Sequence, residues 1–130
     1  NEYGATTGRP RRCGWFDAAV VKYANRINGI KEIVLTKLDV LSHFKKIRIC
    51  KGYKINNQVY PHYPADSEII KLIEPIYEEI EGWKEDISHI KNFNDLPKKT
   101  IEYIKKIETL TDCKASIISV GHKRSQTIIR

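Results

Sequence analysis

An α/β fold is predicted by the spacing of apolar residues along the 130 residues of the chain. Short β-branched runs stand at Glu32-Ile33-Val34-Leu35-Thr36 and Ala115-Ser116-Ile117-Ile118-Ser119, each too brief for a typical helix. Two other stretches repeat apolar residues at three- and four-residue steps, the period of a helix that buries one face. A helix placed between strands suits a crossover joining parallel neighbours in one sheet.

The first helix is read from Phe16, Ala19, Val20, Tyr23, Ala24 and Ile27, with Asn28-Gly29 as its stop. Asp17 stands near its start, where a carboxylate suits the exposed amides and the positive end of the helix dipole. The run at 32–36 is expected to be a buried strand leading straight into Lys37-Leu38-Asp39. Ile47, Ile49, Tyr53 and Ile55 roughly alternate with polar residues around an interposed Cys50-Lys51-Gly52, and Asn56-Asn57 turns the chain into Gln58-Val59-Tyr60. That pattern predicts a β-hairpin. Pro61, Pro64 and Pro75 break the following region, leaving a short helical piece near residues 66–73. Asp95-Leu96-Pro97 opens another helix, striped by Ile101, Tyr103, Ile104, Ile107 and Leu110, with Lys98, Lys99, Lys105 and Lys106 on its solvated faces. The strand at 115–119 then ends at Val120-Gly121.

The chain carries 23 Lys plus Arg against 16 Asp plus Glu, a net charge of +7, which raises a basic nucleic-acid-binding module as an alternative function. The lysines are spread through every segment, and the acidic run Glu78-Glu79-Ile80-Glu81 interrupts any continuous basic face, so solvated lysine surface is the simpler reading. A hydrophobic fraction of 41% supplies one modest core, so residues 1–130 are expected to form a single domain. No apolar run approaches the roughly 18 residues a membrane span needs and no leader stands at Asn1, so a soluble cytoplasmic protein is expected. Cys13, Cys50 and Cys113 are odd in number and lack paired metal spacing, which predicts reduced thiols. His43, His62 and His89 stand apart from other ligating residues and are expected at the surface.

The densest chemistry lies in Gly4-Ala5-Thr6-Thr7-Gly8-Arg9-Pro10-Arg11-Arg12-Cys13-Gly14-Trp15. Guanidinium groups present a rigid fork of donors to a carboxylate or phosphate, the glycines allow close approach or a sharp turn, and Thr6 and Thr7 add hydroxyls. The string reads as an anion-binding loop feeding a helix amino terminus, or as a solvated basic turn. Lys37 with Asp39 is open in the same way, as a ligand pair at a strand end or as an exposed turn. An ionised Asp only accepts hydrogen bonds, which suits the ring amide and exocyclic amine of guanine, and a lysine stem can lie along a base.

The twelve-residue string closely resembles the aspartate-binding loop of the adenylosuccinate synthetases. In the same order follow Thr36-Lys37-Leu38-Asp39-Val40-Leu41, then Glu74-Pro75-Ile76-Tyr77 with Gly82-Trp83, then Ser119-Val120-Gly121 and Arg124. Family members often have proline and an acidic residue where His122 and Lys123 stand, which changes the local turn. The resemblance covers the family's carboxy-terminal portion. It implies a fragment of a larger, mostly parallel-sheet nucleotide-binding enzyme, a GTP-dependent ligase that condenses IMP with L-aspartate to adenylosuccinate, releasing GDP and phosphate, in purine biosynthesis. By motif position it implies that Ala5, Thr6, Thr7, Gly8, Arg9, Pro10 and Arg11 bind aspartate, that Arg9 also reaches IMP, and that Arg11 reaches the GTP side. Lys37, Leu38, Asp39, Ser119, Val120 and Gly121 would form the guanine pocket. It further implies GTP as co-substrate, magnesium held by residues upstream of this stretch, a homodimer for the full-length enzyme, and neither nucleic-acid nor membrane partners. No phosphate-cradling glycine loop, magnesium carboxylate cluster or general base is evident in the sequence, so no catalytic or metal-binding residue is assigned within it. The stretch alone is expected to be inactive.

Overall fold

Phe16 and Asp17, read above as the first turn of a helix, form a two-residue strand, β1 (Phe16–Asp17), lying parallel to a longer strand with Phe16 opposite Ile49 and Asp17 opposite Cys50. The reason lies in Asp17. Its backbone is extended (φ −101°, ψ 95°), so its carboxylate can turn back and accept the Val20 amide at 3.1 Å, which starts α1 (Ala18–Asn28) one residue later. Gly29 ends α1 in the left-handed region at φ 64°, donating to the Asn25 carbonyl at 2.7 Å. The buried face of α1 is set by Ala18 and Ala19, whereas Val20 and Ile27 are exposed, so the periodic stripe lies turned away from the position expected. Small alanines let the helix sit close to its neighbours.

The computed structural model describes every residue except Asn1, Pro61 and Ala65, so the chain break expected at Pro61 lies outside the described residues. In chain order α1 is followed by β2 (Glu32–Leu35), a 3-10 turn (Leu38–Leu41), β3 (Lys46–Ile55), β4 (Gln58–Tyr60), α2 (Ser67–Ile70) and β5 (Glu74–Glu81). A second 3-10 turn (Phe93–Asp95), α3 (Lys98–Thr111), β6 (Lys114–Ser119) and β7 (Thr127–Ile129) complete the order. The expected hairpin is β3–β4, turned by Asn56 and Asn57 at φ 47° and 64°, the two left-handed residues a two-residue hairpin turn requires. Cys50-Lys51-Gly52 interrupts the alternation of β3 because the register against β5 shifts there, Cys50 facing Tyr77 and Gly52 facing Ile76. Pro75 does not break the chain. It lies inside β5, which pairs with β3 along its length and, among the described residues, has no strand on its other edge, where a missing amide is tolerated.

One sheet thus holds β1, β3, β4 and β5, and the other runs β2-β6-β7, with β2 and β6 parallel and β7 antiparallel. The β2 run was expected to be buried, but only Leu35 is, while Val34 is exposed, because β2 is an edge strand covered on one face. The row Leu35, Ile118, Ile128 faces inward across β2, β6 and β7. A single cluster joins that row to Ile47 and Ile49 of β3, to Tyr103, Ile104 and Ile107 of α3, and to Trp83. α3 therefore fills the space between the sheets, its inward stripe as predicted except that Ile101 and Leu110 are only partly buried. Asn25 donates to the Thr111 carbonyl at 3.1 Å, fastening α1 to the end of α3.

Candidate substrate-binding site

The arginine string folds into a small closed loop. The Gly4 amide donates to the Arg9 carbonyl and the Arg11 amide to the Glu2 carbonyl, both at 2.9 Å, and Tyr3 and Pro10 form a bridge between them. Gly8, at φ 65°, makes the tip turn and donates to the Gly4 carbonyl at 2.9 Å. The Thr7 hydroxyl accepts the Arg9 amide at 3.4 Å and lies where a side chain on Gly4 would meet it at 3.0 Å, so Gly4 is fitted to this turn. Ala5, Thr6, Arg9, Arg11 and Arg12 are exposed. Downstream, Trp15 is seated edge-on against Phe44, ring centroids 5.4 Å apart, and β1 docks on β3. Tyr53 of β3 donates its hydroxyl to the second oxygen of Asp17 at 2.5 Å, locking the point at which the loop becomes α1. The first helical amides are partly taken by Asp17, so the anion-binding capacity of this loop rests on its arginines.

The second group forms where two parallel strands end side by side. Leu35 of β2 is in register with Ile118 of β6, so the residues that follow, Lys37 to Asp39 and Ser119 to Gly121, emerge next to one another although some eighty positions separate them. Such carboxyl ends of parallel strands are where α/β sheets present ligand-binding groups. Lys37 adopts φ 58°, a left-handed conformation that costs a non-glycine residue about 1 kcal/mol and that concentrates at functional turns. Leu38 and Val120 point into the core, 1% and 0% exposed, so these two can offer a ligand only backbone atoms. The groups left to face outward are the side chains of Lys37, Asp39 and Ser119 and the backbone of Gly121. Ser119 donates its hydroxyl to the Gly121 carbonyl at 2.7 Å, which closes the turn. The turn through His122 and Lys123 is held by Gln126, whose side chain accepts the Lys123 amide and donates to the Ser88 carbonyl, both at 3.0 Å.

The flanks of the loop and the end of β2 meet at a groove of about 480 Å³ lined by Glu2, Cys13, Gly14, Trp15, Lys37, Val40, Leu41 and Phe44. Most of its lining is apolar, and its two charged residues, Glu2 and Lys37, are paired with each other. Glu2 and Phe44 were not singled out in the sequence, and a lone acid or aromatic there gives no periodic or motif signal by which to find it, whereas Trp15 closes the arginine string. A depression of about 530 Å³ lies elsewhere, around Gly82 and Trp83, and its rim charges neutralise one another through pairs such as Lys99–Glu81 at 2.8 Å. It borders none of the loop or strand-end residues.

The acidic run has a definite place. Glu74, Glu78 and Glu79 of β5 pair with Lys54, Lys51, Lys46 and Arg48 across β3, and Glu78 and Glu81 reach Lys106 and Lys99 of α3. The Lys46 hydrogen bond holds the Glu79 carboxyl below its usual range, and Lys99 does the same for Glu81. These pairs set acids among the cations of β3 and α3, so this face is mixed in charge rather than continuously basic. These carboxylates are committed to cations, and the described residues hold no group of three or more His, Cys, Asp or Glu that could ligate a metal, so they do not fit magnesium. The three cysteines are free thiols, and burial pushes those of Cys50 and Cys113 up. His43, His62 and His89 are exposed. No helix among the described residues is long and apolar enough to cross a membrane.

A glycine-stapled arginine loop is thus tied, through Glu2 and Lys37, to the carboxyl end of a parallel strand in a fold of α/β class. Residues 1–128 match the family model for adenylosuccinate synthetase. The chain is 52% identical over its whole length to an adenylosuccinate synthetase of Desulfitobacterium hafniense, and 53% identical over 99% of its length to one from a Thermoanaerobacter species. It spans 30% of the length of each of these relatives. Its fold superposes with a TM-score of 0.93, at 42% identity, on a fully ligated adenylosuccinate synthetase from Plasmodium falciparum, covering 99% of this chain and 31% of that one. The chain belongs to the adenylosuccinate synthetase family.

Proposed function

We propose that this chain supplies the aspartate loop and the guanine pocket of a GTP-dependent ligase that condenses IMP with L-aspartate to adenylosuccinate, with release of GDP and phosphate. The observation that carries the reading is the ion pair between Glu2, at the stem of the stapled arginine loop, and Lys37, at the end of β2 beside β6. In such a reaction the keto oxygen at C6 of the hypoxanthine base must become a leaving group. Transfer of the γ-phosphoryl of GTP to that oxygen breaks the bond between the γ-phosphorus and the β–γ bridging oxygen, gives GDP, and is accompanied by loss of the N1 proton of hypoxanthine to a general base outside these residues. The aspartate amine then attacks C6, the C6–O bond breaks, and phosphate departs while the amine gives up its proton. Positioning and charge stabilisation dominate phosphoryl transfer.

Arg9 and Arg11 take the carboxylates of aspartate together with Thr7, Arg9 extends to IMP and Arg11 to the GTP side. The remaining loop residues, Ala5, Thr6, Gly8 and Pro10, shape the backbone around the amino acid. Asp39 accepts from the guanine edge, Lys37 lies along the base, and Leu38, Ser119, Val120 and Gly121 complete the pocket wall. Magnesium, which family membership implies, would be held by residues outside those described, and no step is assigned to it. A cytoplasmic homodimer belongs to the same reading and is supported by family membership alone.

Asp39→Asn tests the assignment in the full-length enzyme. An amide donates as well as accepts, so the mutant is expected to lose most of its preference for GTP over ATP, a change of about 100-fold or more in the ratio of kcat/KM values. An undiminished preference would remove Asp39 from the guanine site.

A further inference from the structure

Glu2 belongs to neither group of residues given a ligand above, yet it touches both. Its carbonyl accepts the Arg11 amide at 2.9 Å, which fixes the residue at the stem of the arginine loop. From that stem its carboxylate spreads between two cations, one oxygen paired with the Lys37 ammonium and the other 3.5 Å from Nη1 of Arg11. Lys37 arrives from the end of β2, and its left-handed backbone is imposed by the turn rather than preferred by the residue, so the direction in which its side chain leaves is already set. The ammonium end is what remains to be fixed, and Glu2 fixes it. Glu2 and Lys37 both line the groove with Trp15, Val40 and Phe44.

We propose that Glu2 is a positioning residue for the guanine nucleotide. It anchors the Lys37 ammonium so that the four-carbon stem stands extended as a wall for the base, and through Arg11 it ties that wall to the arginine loop. The inference rests on the guanine-pocket reading of Lys37. A free lysine stem loses rotamer freedom when a base is laid along it, whereas an anchored stem has lost that freedom before the ligand arrives. The carboxylate also meets Arg11, so emptying one partner changes the charge felt by the other. Glu2 is about one-third exposed and both cations more than half, so each contact is of the modest, solvent-screened kind.

Double-mutant analysis of GDP binding tests this, using titration calorimetry on the full-length enzyme that contains the segment, with Glu2→Gln, Lys37→Met and the pair. Glu2→Gln is isosteric, and it should weaken GDP about three- to tenfold, as expected for losing exposed charge pairs. The paired variant should bind no more weakly than Lys37→Met alone, because Glu2 acts through Lys37. Glu2→Asp, which keeps the charge but is too short to span both cations, should share the loss and serves if Glu2→Gln fails to fold. Wild-type affinity in both Glu2 variants, or losses that multiply in the paired variant, would overturn the proposal, since a merely structural Glu2 would act independently of Lys37. Unchanged GDP binding in Lys37→Met would instead sink the guanine-pocket reading itself, and this proposal with it.

Discussion

Arg11 is tied to Glu2 twice, through its amide at 2.9 Å and through its guanidinium at 3.5 Å, so one fork of donors is oriented while the rest stays exposed. A guanidinium held at its base can meet a carboxylate with two parallel hydrogen bonds, which an ammonium cannot do. In the full-length enzyme Arg11→Leu is expected to cost about 2–4 kcal/mol in kcat/KM for aspartate, on the order of 30- to 1,000-fold. Arg11→Lys should recover only part of that. Steady-state kinetics at saturating IMP and GTP measure both, and a lysine variant with normal aspartate kinetics would mean that the loop acts as a diffuse basic surface. The arginines were legible in the sequence because three of them stand between glycines. Glu2 was not, because its partner Lys37 is remote in the chain and becomes a neighbour only when β2 is seated in its sheet.

At the scale of the elements, β5 carries the clearest divergence between sequence and structure. Pro75 signals a break, yet an edge strand can accommodate it, and no composition rule says which strand lies at an edge. Likewise β7 is only three residues long and becomes a strand through pairing with β6. The hairpin at Asn56-Asn57 was legible because its signal is local. The Gly82-Trp83 motif proves to be structural. Trp83 is buried and donates its indole N–H to Ser42 at 3.1 Å, while the Gly82 amide donates to the Lys45 carbonyl at 2.9 Å. A side chain on Gly82 would lie 1.9 Å from the Phe44 carbonyl oxygen, against backbone that cannot step aside. Gly82→Ala should therefore destabilise the chain by about 2–3 kcal/mol, the cost of overpacking a tight site. Gly14→Ala is the control, since a side chain there meets nothing within 4 Å. Urea unfolding of the two variants compares them directly, and equal midpoints would contradict the close approach at Gly82.

For the molecule as a whole, the buried core and the solvent-exposed ion pairs give stability opposite pH limits. Periodicity made the α3 stripe legible, but burial depends on packing, which places Tyr103 against Trp83 with ring centroids 5.7 Å apart. Burial raises the Tyr103 hydroxyl from 10.0 to about 12. In the unfolded chain that proton leaves first, so the stability it contributes is complete below pH 10.0 and is lost as pH rises toward about 12. Glu79 and Glu81 act in the other direction. Their lysine partners hold them below the usual 4.5, so their contribution is present above that value and is lost as pH falls through their lowered range. Stability should accordingly be level near neutrality and fall at both ends. Tyr103→Phe isolates this tyrosine's share of the alkaline limb, because phenylalanine has no proton to lose. Relative to the wild type, the variant should gain about 1 kcal/mol between roughly pH 9 and pH 11, whatever its offset at neutral pH. Urea midpoints at those pH values decide the matter. Parallel profiles would mean that Tyr103 ionises equally well in the folded chain, and hence that the space between the sheets is open to water.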